Sequence, residues 1–364
     1  MKLVYLSTAR VPDEWAHVIQ IMKMCEAFAD AGHDVTLAIP QRGRTSGEDP
    51  FTYAGVRSNF RIVKLPCVDV NPGSQGKMLF WLRTFSFLVV ARCYLLCTAY
   101  DLLYTRELFA LGDLTKTVFE LHSQTDAVRR ARHSLIRSRA VVCISQGLAD
   151  DVVVSGIPRE KLVVAPDGVS LGDFERPESS DLARKRLGIP SDKPVALYIG
   201  ILDTWKGVET LYAAAALMPE VRTVVIGAHD GAEKRLAVEY PHVTFIPFQP
   251  YRELANNQQI ADVLILPNSG KEAISAKYTS PLKLFSYMAS GKPIVASDLP
   301  SLREVLSESN TFFAKADDPA SFAATVRYVL AHPEEARARA SAAQKNVTRY
   351  SWTARAEHIL SEIE

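Results

Sequence analysis

Residues 278–298 read YTSPLKLFSYMASGKPIVASD, an order of residue types that spells loop, short helix, turn and buried strand. Ser280 suits an N-cap, and Pro281 suits the first helical position, where its missing N–H is no loss. Leu284, Phe285 and Met288 recur at helical spacing and predict a face turned to a core. Gly291 supplies the left-handed residue that ends a helix, Pro293 keeps the helix from resuming, and Ile294, Val295 and Ala296 form a short apolar strand. The first backbone N–H groups of such a helix have no partner within it. Lys283 stands in that first turn, where a cation opposes the helix dipole. Two readings are open: the helix terminus and the ammonium together grip a phosphate, or the lysine is merely solvated.

The same alternation of strand and helix runs outward in both directions. Upstream, GILDTWKG at 200–207 follows an apolar strand at 195–200 and opens a helix at 206–217. Lys206 in that loop is either a second phosphate ligand or a solvated lysine at a helix start. Further strands are expected at 222–227, 243–247, 262–267, 293–297 and near 311–314, with a helical tail over 318–364. The N-terminal half predicts strands at 2–7, 33–39, near 60–65, and at 101–104, 116–121, 140–144 and 161–164. Helices fall between them, one at 15–31 ending at Gly32 and another over 145–154. The strands are almost wholly apolar, the mark of parallel sheets covered on both faces. The fold class is therefore α/β with doubly wound domains. Residues 165–180, APDGVSLGDFERPESS, read as a linker, which divides the chain into a first domain over 1–170 and a second over 181–345.

A chain of 364 residues is long enough for two such domains. Its 42 basic and 41 acidic residues leave a formal charge of +1, so nothing argues for a nucleic-acid partner. Cys25, Cys67, Cys93, Cys97 and Cys143 form no CxxC pair and lie in apolar runs, which predicts reduced, buried thiols in a cytoplasmic protein. MKLVYLS at the start is too short an apolar run for a signal peptide and reads as the first strand. Residues 80–100 are apolar over about a bilayer's thickness, but Arg83 and Arg92 interrupt them. They read as a buried or half-buried helix, or alternatively as an amphipathic helix facing a membrane. Arg129, Arg130, Arg132, Arg137 and Arg139 make either a solvated face or a patch for anionic lipid headgroups.

SPLKLFSYMASGKPIVASDLPSLREVL, residues 280–306, resembles the C-terminal donor-site motif of retaining glycosyltransferases of family 4. The family pattern has two glutamates eight positions apart, and here Tyr278 and Ser286 stand in their places. The first is often replaced in the SPLK branch of the family. The second is the residue expected to hold the ribose hydroxyls, and Ser286 is shorter and uncharged. The resemblance implies the GT-B fold, two Rossmann-like domains facing across a cleft. The closing RYSWTARAEHIL resembles the helix that returns to the N-terminal domain, here over 346–364.

The resemblance also implies roles. Lys206, Lys283 and His122 are the expected catalytic residues, the lysines on the leaving diphosphate and His122 near the sugar and acceptor. Gly200, Gly227, Ser280, Pro281, Leu282, Ser286 and Phe248 are expected to bind the donor. Ile201 stands where the family usually has an arginine. Arg106, Glu14 and His17 are expected on the acceptor side, Glu14 and His17 replacing a pair of glycines common in relatives. The donor is expected to be a UDP- or GDP-sugar, with no cofactor and no metal. Asp150-Asp151 and Asp317-Asp318 read as surface or capping carboxylates. The expected acceptor is a glycan, a lipid-linked or a small molecule, with peripheral membrane contact through residues 80–100 and 129–139, at the cytoplasmic face. The implied function is transfer of a hexose with retention of configuration, in cell-envelope or polysaccharide biosynthesis. The alternatives are a catalytically impaired nucleotide-sugar binder and a GT-B nucleotide-sugar epimerase.

Overall fold

The computed structural model describes residues 1–42, 48–69, 77–109, 111–229 and 231–363. The chain divides into two compact units. The first comprises Met1–Ile144, Leu148–Pro166 and Trp352–Glu364; the second comprises Ser145–Gly147 and Asp167–Ser351.

The first unit is built on seven parallel strands: β1 (Lys2–Leu6), β2 (Asp34–Gln41), β3 (Arg61–Pro66), β4 (Leu102–Thr105), β5 (Thr117–Leu121), β6 (Ala140–Cys143) and β7 (Leu162–Val164). Their order in the sheet is β3-β2-β1-β4-β5-β6-β7. The chain winds first one way from β1 and then the other, so the loops after β1 and β4 meet where the winding reverses. The helix Trp352–Ile363 packs on the helix Ala16–Asp30. A buried ion pair fastens it, Arg355 Nη2 lying 3.1 Å from Glu120 Oε2.

The second unit repeats the plan with β8 (Val195–Ile199), β9 (Arg222–Ala228), β10 (Val243–Pro247), β11 (Val263–Leu266), β12 (Ile294–Ser297) and β13 (Phe312–Ala314), in the order β10-β9-β8-β11-β12-β13. Both faces of this sheet are covered. One carries Leu284, Phe285 and Met288 of the helix Leu282–Ala289 against Leu197, Ile226 and Leu264. The other carries Val208 and Leu211 against Ala196, Val225 and Ile265. This double coverage is why the strands read as apolar runs without alternation.

Several expectations need correction. Residues 165–180 are not an open linker. Ala165, Asp167 and Val169 are buried, Val169 bridges to Ser351, and 171–174 form a short helical turn. Tyr278, read as the start of a loop, instead closes a wide helical turn, Ile274–Tyr278. The helix after Lys206 begins only at Val208, because Gly207 takes the left-handed conformation at φ 71°. Cys25 and Cys143 are buried free thiols, whereas Cys93 and Cys97 are exposed.

The apolar segment at 80–100 falls, up to Cys97, in the helix Lys77–Cys97. Phe87, Leu88, Ala91 and Leu95 seat it on Val4, Leu6 and Leu103 of the sheet. Trp81, Leu82, Phe85, Val89 and Leu96 are exposed on it. Among the described residues no helix is long and apolar enough to cross a membrane. The arginine run is less open than its sequence suggests. Arg132 Nε donates to the Gly156 carbonyl, Arg139 Nε donates to that of Ile363, and Arg129 pairs with Asp126.

Candidate active site

The loops after β8, β9 and β11 are forced together by missing side chains. A Cβ on Gly227, at φ 135°, would lie 2.2 Å from the Gly200 carbonyl oxygen. One on Gly207 would lie 1.9 Å from the Pro267 carbonyl oxygen. Both positions need glycine for conformation and for space. Into this closed corner come Lys206, from the turn Thr204–Lys206, and Lys283, from the first turn of Leu282–Ala289.

Both ammonium groups are short of water and of partners. The Lys283 Nζ is buried with no hydrogen-bond partner and sits 3.7 Å from the centre of the Tyr198 ring. A Cβ on Gly200 would come within 2.6 Å of that nitrogen, so the Gly200 backbone lies directly against it. The Lys206 Nζ sits 3.5 Å from the centre of the Trp205 ring, in a side chain only 8% exposed. Burial pushes the Lys206 ammonium down to about 7, with the nearby Asp203 carboxylate acting against the shift. Burial and then the charge of Lys206 push Lys283 well below its ordinary value, Asp203 again opposing. Aromatic faces return about 0.5–2 kcal/mol to a cation. Removing an ammonium from water costs several kcal/mol, so the two rings do not balance the account. Two mutually repelling, under-partnered cations beside a helix N-terminus are an arrangement whose charge a polyanion would complement.

Ser280 does not cap the helix. Pro281 occupies that position with extended backbone, no side chain caps it, and Leu282 is the first helical residue. The Ser280 hydroxyl instead accepts the Asp167 N–H at 2.8 Å. Ser286, expected at a ribose, is 1% exposed. Its hydroxyl donates to the Lys283 carbonyl at 3.0 Å and accepts from Gln258 Nε2 at 3.0 Å. The hydroxyl is thus engaged within the protein on both sides. Phe248, just past β10, stacks on His229 with centroids 4.9 Å apart, and its N–H donates to the Ala228 carbonyl. These are flat surfaces at the carboxyl ends of β9 and β10.

In the first unit, His122 follows β5 and is held by Glu120. Its Nε2 lies 2.6 Å from Glu120 Oε1. Burial, and next the Arg106 charge, push His122 down to about 4, with Glu120 pulling the other way. The neutral ring therefore donates through Nε2 and keeps Nδ1 as an acceptor. Glu120 also accepts from Gln20 Nε2 at 2.5 Å and from the Tyr104 hydroxyl. Burial opposes its charge, but Arg355 and the His122 hydrogen bond hold the carboxyl well below the usual range. Arg106 Nη1 donates to Gln20 Oε1 at 2.8 Å, which ties Arg106 to His122 through one intervening amide and carboxylate. His17 is exposed and shares a hollow with Arg106; Glu14 is exposed beside it, with its N–H on Asp13. Sequence reasoning missed Trp205, Tyr198, Gln20, Glu120 and Arg355. Of these only Trp205, adjacent to Lys206, carried a readable signal. Among the described residues no group of three or more His, Cys, Asp or Glu is placed to hold a metal ion.

Strand-end loops gathering cations in one unit, joined to a second Rossmann-like unit, define the architecture of GT-B glycosyltransferases. Residues 179–346 match the model of glycosyl transferases group 1, and residues 18–173 match glycosyltransferase family 4. The chain thus carries these two glycosyltransferase domains. Over 217 residues it is 29% identical to a D-inositol 3-phosphate glycosyltransferase of Segniliparus rotundus, covering 56% of this chain and 46% of that one. It is 30% identical to the protein of that name from Xylanimonas cellulosilytica, over 61% of this chain and 56% of the other. The chain spans about half the length of these curated relatives. Among solved structures, sucrose-phosphate synthase of Thermosynechococcus elongatus superposes with a TM-score of 0.78 at 21% identity, over 99% of this chain and 97% of that one. Anabaena HepE in complex with UDP-glucose gives 0.76 at 16% identity, over 99% and 98%. At these identities the structural likeness speaks for the fold.

Proposed function

We propose that this protein is a retaining glycosyltransferase that moves a hexose from a UDP- or GDP-sugar to a glycan, lipid-linked or small acceptor in envelope or polysaccharide biosynthesis. The observation that carries the reading is the Lys206–Lys283 pair, two buried side chains with no carboxylate in contact, the Lys283 Nζ without a hydrogen-bond partner. Departure of a nucleoside diphosphate places negative charge on the leaving oxygen, and fixed cations in a dry site stabilise that charge where it develops. An arriving anion favours the charged form of both lysines. The diphosphate is thus handled by cations and backbone, without a required metal. Asp203, the carboxylate that acts on both lysines, is exposed. No protein carboxylate is assigned as nucleophile, the buried Glu120 being held by Arg355 and His122, and the reading is a front-face transfer. The acceptor hydroxyl gives its proton to the departing phosphate oxygen as its own oxygen bonds the anomeric carbon. The protein orients the partners and holds charge. His122, neutral and fixed by Glu120, accepts a hydroxyl hydrogen bond through Nδ1. The exposed apolar residues of the helix Lys77–Cys97 support peripheral contact with a membrane that carries the acceptor.

The test is transfer from a panel of UDP-, GDP- and ADP-sugars, with the anomeric configuration of the product read by NMR. Lys283→Ala keeps the fold and loses turnover by a large factor; unchanged turnover refutes the role. The closed environment of Ser286 favours one second reading, a nucleotide-sugar binder that no longer turns over. It is distinguished by donor binding with no product from any acceptor.

A further inference from the structure

The first sheet carries a second hollow, at the end opposite the loops that bear Arg106 and His122. Lys2, Asp34 and Arg61 are the first residues of β1, β2 and β3. The two-residue alternation of a strand puts Lys2 on the face of Val4, and Asp34 and Thr36 on the face of Ala38, the face that the helix Lys77–Cys97 covers. That helix is seated on the sheet as far as Leu95 and ends at Cys97, so the amino ends of the three strands stay uncovered. The result is a cavity of about 510 Å³, with Lys2, Asp34, Thr36 and Arg61 along its floor. Tyr94, Cys97 and Thr98 form its wall. Strand register sets Lys2 beside Asp34 and Thr36 beside Arg61. Arg61 spends Nη2 alone, on the two oxygens of Asp34 at 2.9 and 3.1 Å, and its Nε and Nη1 have no protein acceptor among the described residues. The Lys2 ammonium likewise has none; Asp101, which takes the Lys2 backbone N–H at 2.7 Å, does not line the cavity. Thr36 is 7% exposed, and its hydroxyl has no protein partner among the described residues. Tyr94 and Thr98 bring two more unpaired hydroxyls to the wall. Two cations against one carboxylate leave an excess of one positive charge, and that carboxylate is already held by Arg61. The hollow therefore lacks one anionic acceptor, and a carboxylate supplies it with charge-assisted hydrogen bonds. The volume is that of a small-molecule site.

We propose that this hollow binds a small hydroxycarboxylic acid, its carboxylate between Lys2 and Arg61 and a hydroxyl on Thr36. The acid is not a reactant in sugar transfer. Along β1 from Lys2 to Leu6 the chain advances about 13 Å, so the hollow is one strand length away from the loops at the carboxyl end of the sheet. A bound acid would tie the last turn of the helix Lys77–Cys97 to the three strands beneath it. The site stands on the first unit alone and is independent of the sugar-transfer reading.

Two thiols make the occupancy readable. Cys93 and Cys97 are both exposed and free, one helical turn apart, and Cys97 lines the hollow while Cys93 does not. The full chain is alkylated with iodoacetamide, a neutral reagent, and tandem mass spectrometry assigns the label to each cysteine. The probes are D-gluconate and D-glycerate, set against their neutral counterparts sorbitol and glycerol, with sodium chloride holding the ionic strength equal. For a dissociation constant of about 10 mM, either acid at about 50 mM should slow Cys97 about sixfold and leave Cys93 unmoved. Sorbitol and glycerol should slow neither thiol. Lys2→Met and Thr36→Val should each remove most of the protection; Lys2→Met alters an exposed side chain and decides the matter alone if Thr36→Val fails to fold. Four results would overturn the site: no slowing of Cys97 by either acid, equal slowing of both thiols, protection by the neutral polyols matching that by the acids, or full protection surviving in Lys2→Met.

Discussion

Raising the pH should weaken nucleotide binding in a way that reports on Lys206 directly. In the empty site burial holds this ammonium at about 7, against an ordinary 10.5. A bound diphosphate favours the charged form and returns the group toward its ordinary value, so binding between those limits takes up a proton. At pH 8 the empty group is about one-tenth protonated and the occupied one almost fully so, an uptake of about 0.9 proton. Between pH 8 and 9 the affinity should fall about ninefold from Lys206 alone. Lys283, also held low, makes the fall steeper, and the two titrate as a coupled pair. Both nucleotide phosphates are already fully ionised above pH 8, so the slope belongs to the protein. Isothermal titration of UDP or GDP in buffers of different ionisation enthalpy reads the proton uptake and the affinity together. An affinity that stays level from pH 8 to 9, with no proton taken up, would refute the reasoning.

Other consequences follow from the same contacts. Because the folded values of Lys206 and Lys283 are lowered, the empty protein gains stability as pH rises from about 7 toward 10.5. Lys206→Met should therefore raise the melting temperature of the empty protein at pH 7 while abolishing diphosphate binding; a lowered melting temperature would count against the charge argument. Gly227→Ala pushes a methyl group into the Gly200 carbonyl and should cost more than about 1 kcal/mol along with nucleotide binding, checked by urea unfolding and titration. Glu120→Gln leaves Arg355 buried without its counter-ion and should cost about 3 kcal/mol, by the same unfolding measurement; a loss under about 1 kcal/mol would show that the pair does not fasten the C-terminal helix. Ser286→Glu should lower the melting temperature, because Gln258 already fills the space beside the hydroxyl, and pairing it with Gln258→Ala should recover the fold and strengthen donor binding.

Both sheets were legible because parallel strands covered on two faces leave continuous apolar runs, and the Leu282–Ala289 helix because Leu284, Phe285 and Met288 share one buried stripe. The local setting of the two lysines was legible, Lys206 in the loop ahead of Gly207 and Lys283 in the first helical turn after Pro281. Partners remote in sequence were not legible. Ser280 looks like an N-cap until the Asp167 N–H, 113 residues away, claims its hydroxyl. Ser286 looks like an open hydrogen-bonding group until Gln258 closes on it. The polar character of residues 165–180 hid the burial of Ala165 and Val169, because single apolar residues in a polar run carry no period to read. Lys2, Thr36 and Arg61 belong to three separate segments, and only the sheet topology brings them to one hollow.

The central claim is that a nucleoside diphosphate completes the charge of two lysines. A crystal structure with UDP or GDP bound tests it most directly. The account predicts phosphate oxygens within hydrogen-bond reach of both Lys206 Nζ and Lys283 Nζ, beside the start of the Leu282–Ala289 helix. A nucleotide seated elsewhere, with either ammonium still facing only its aromatic ring, would contradict it.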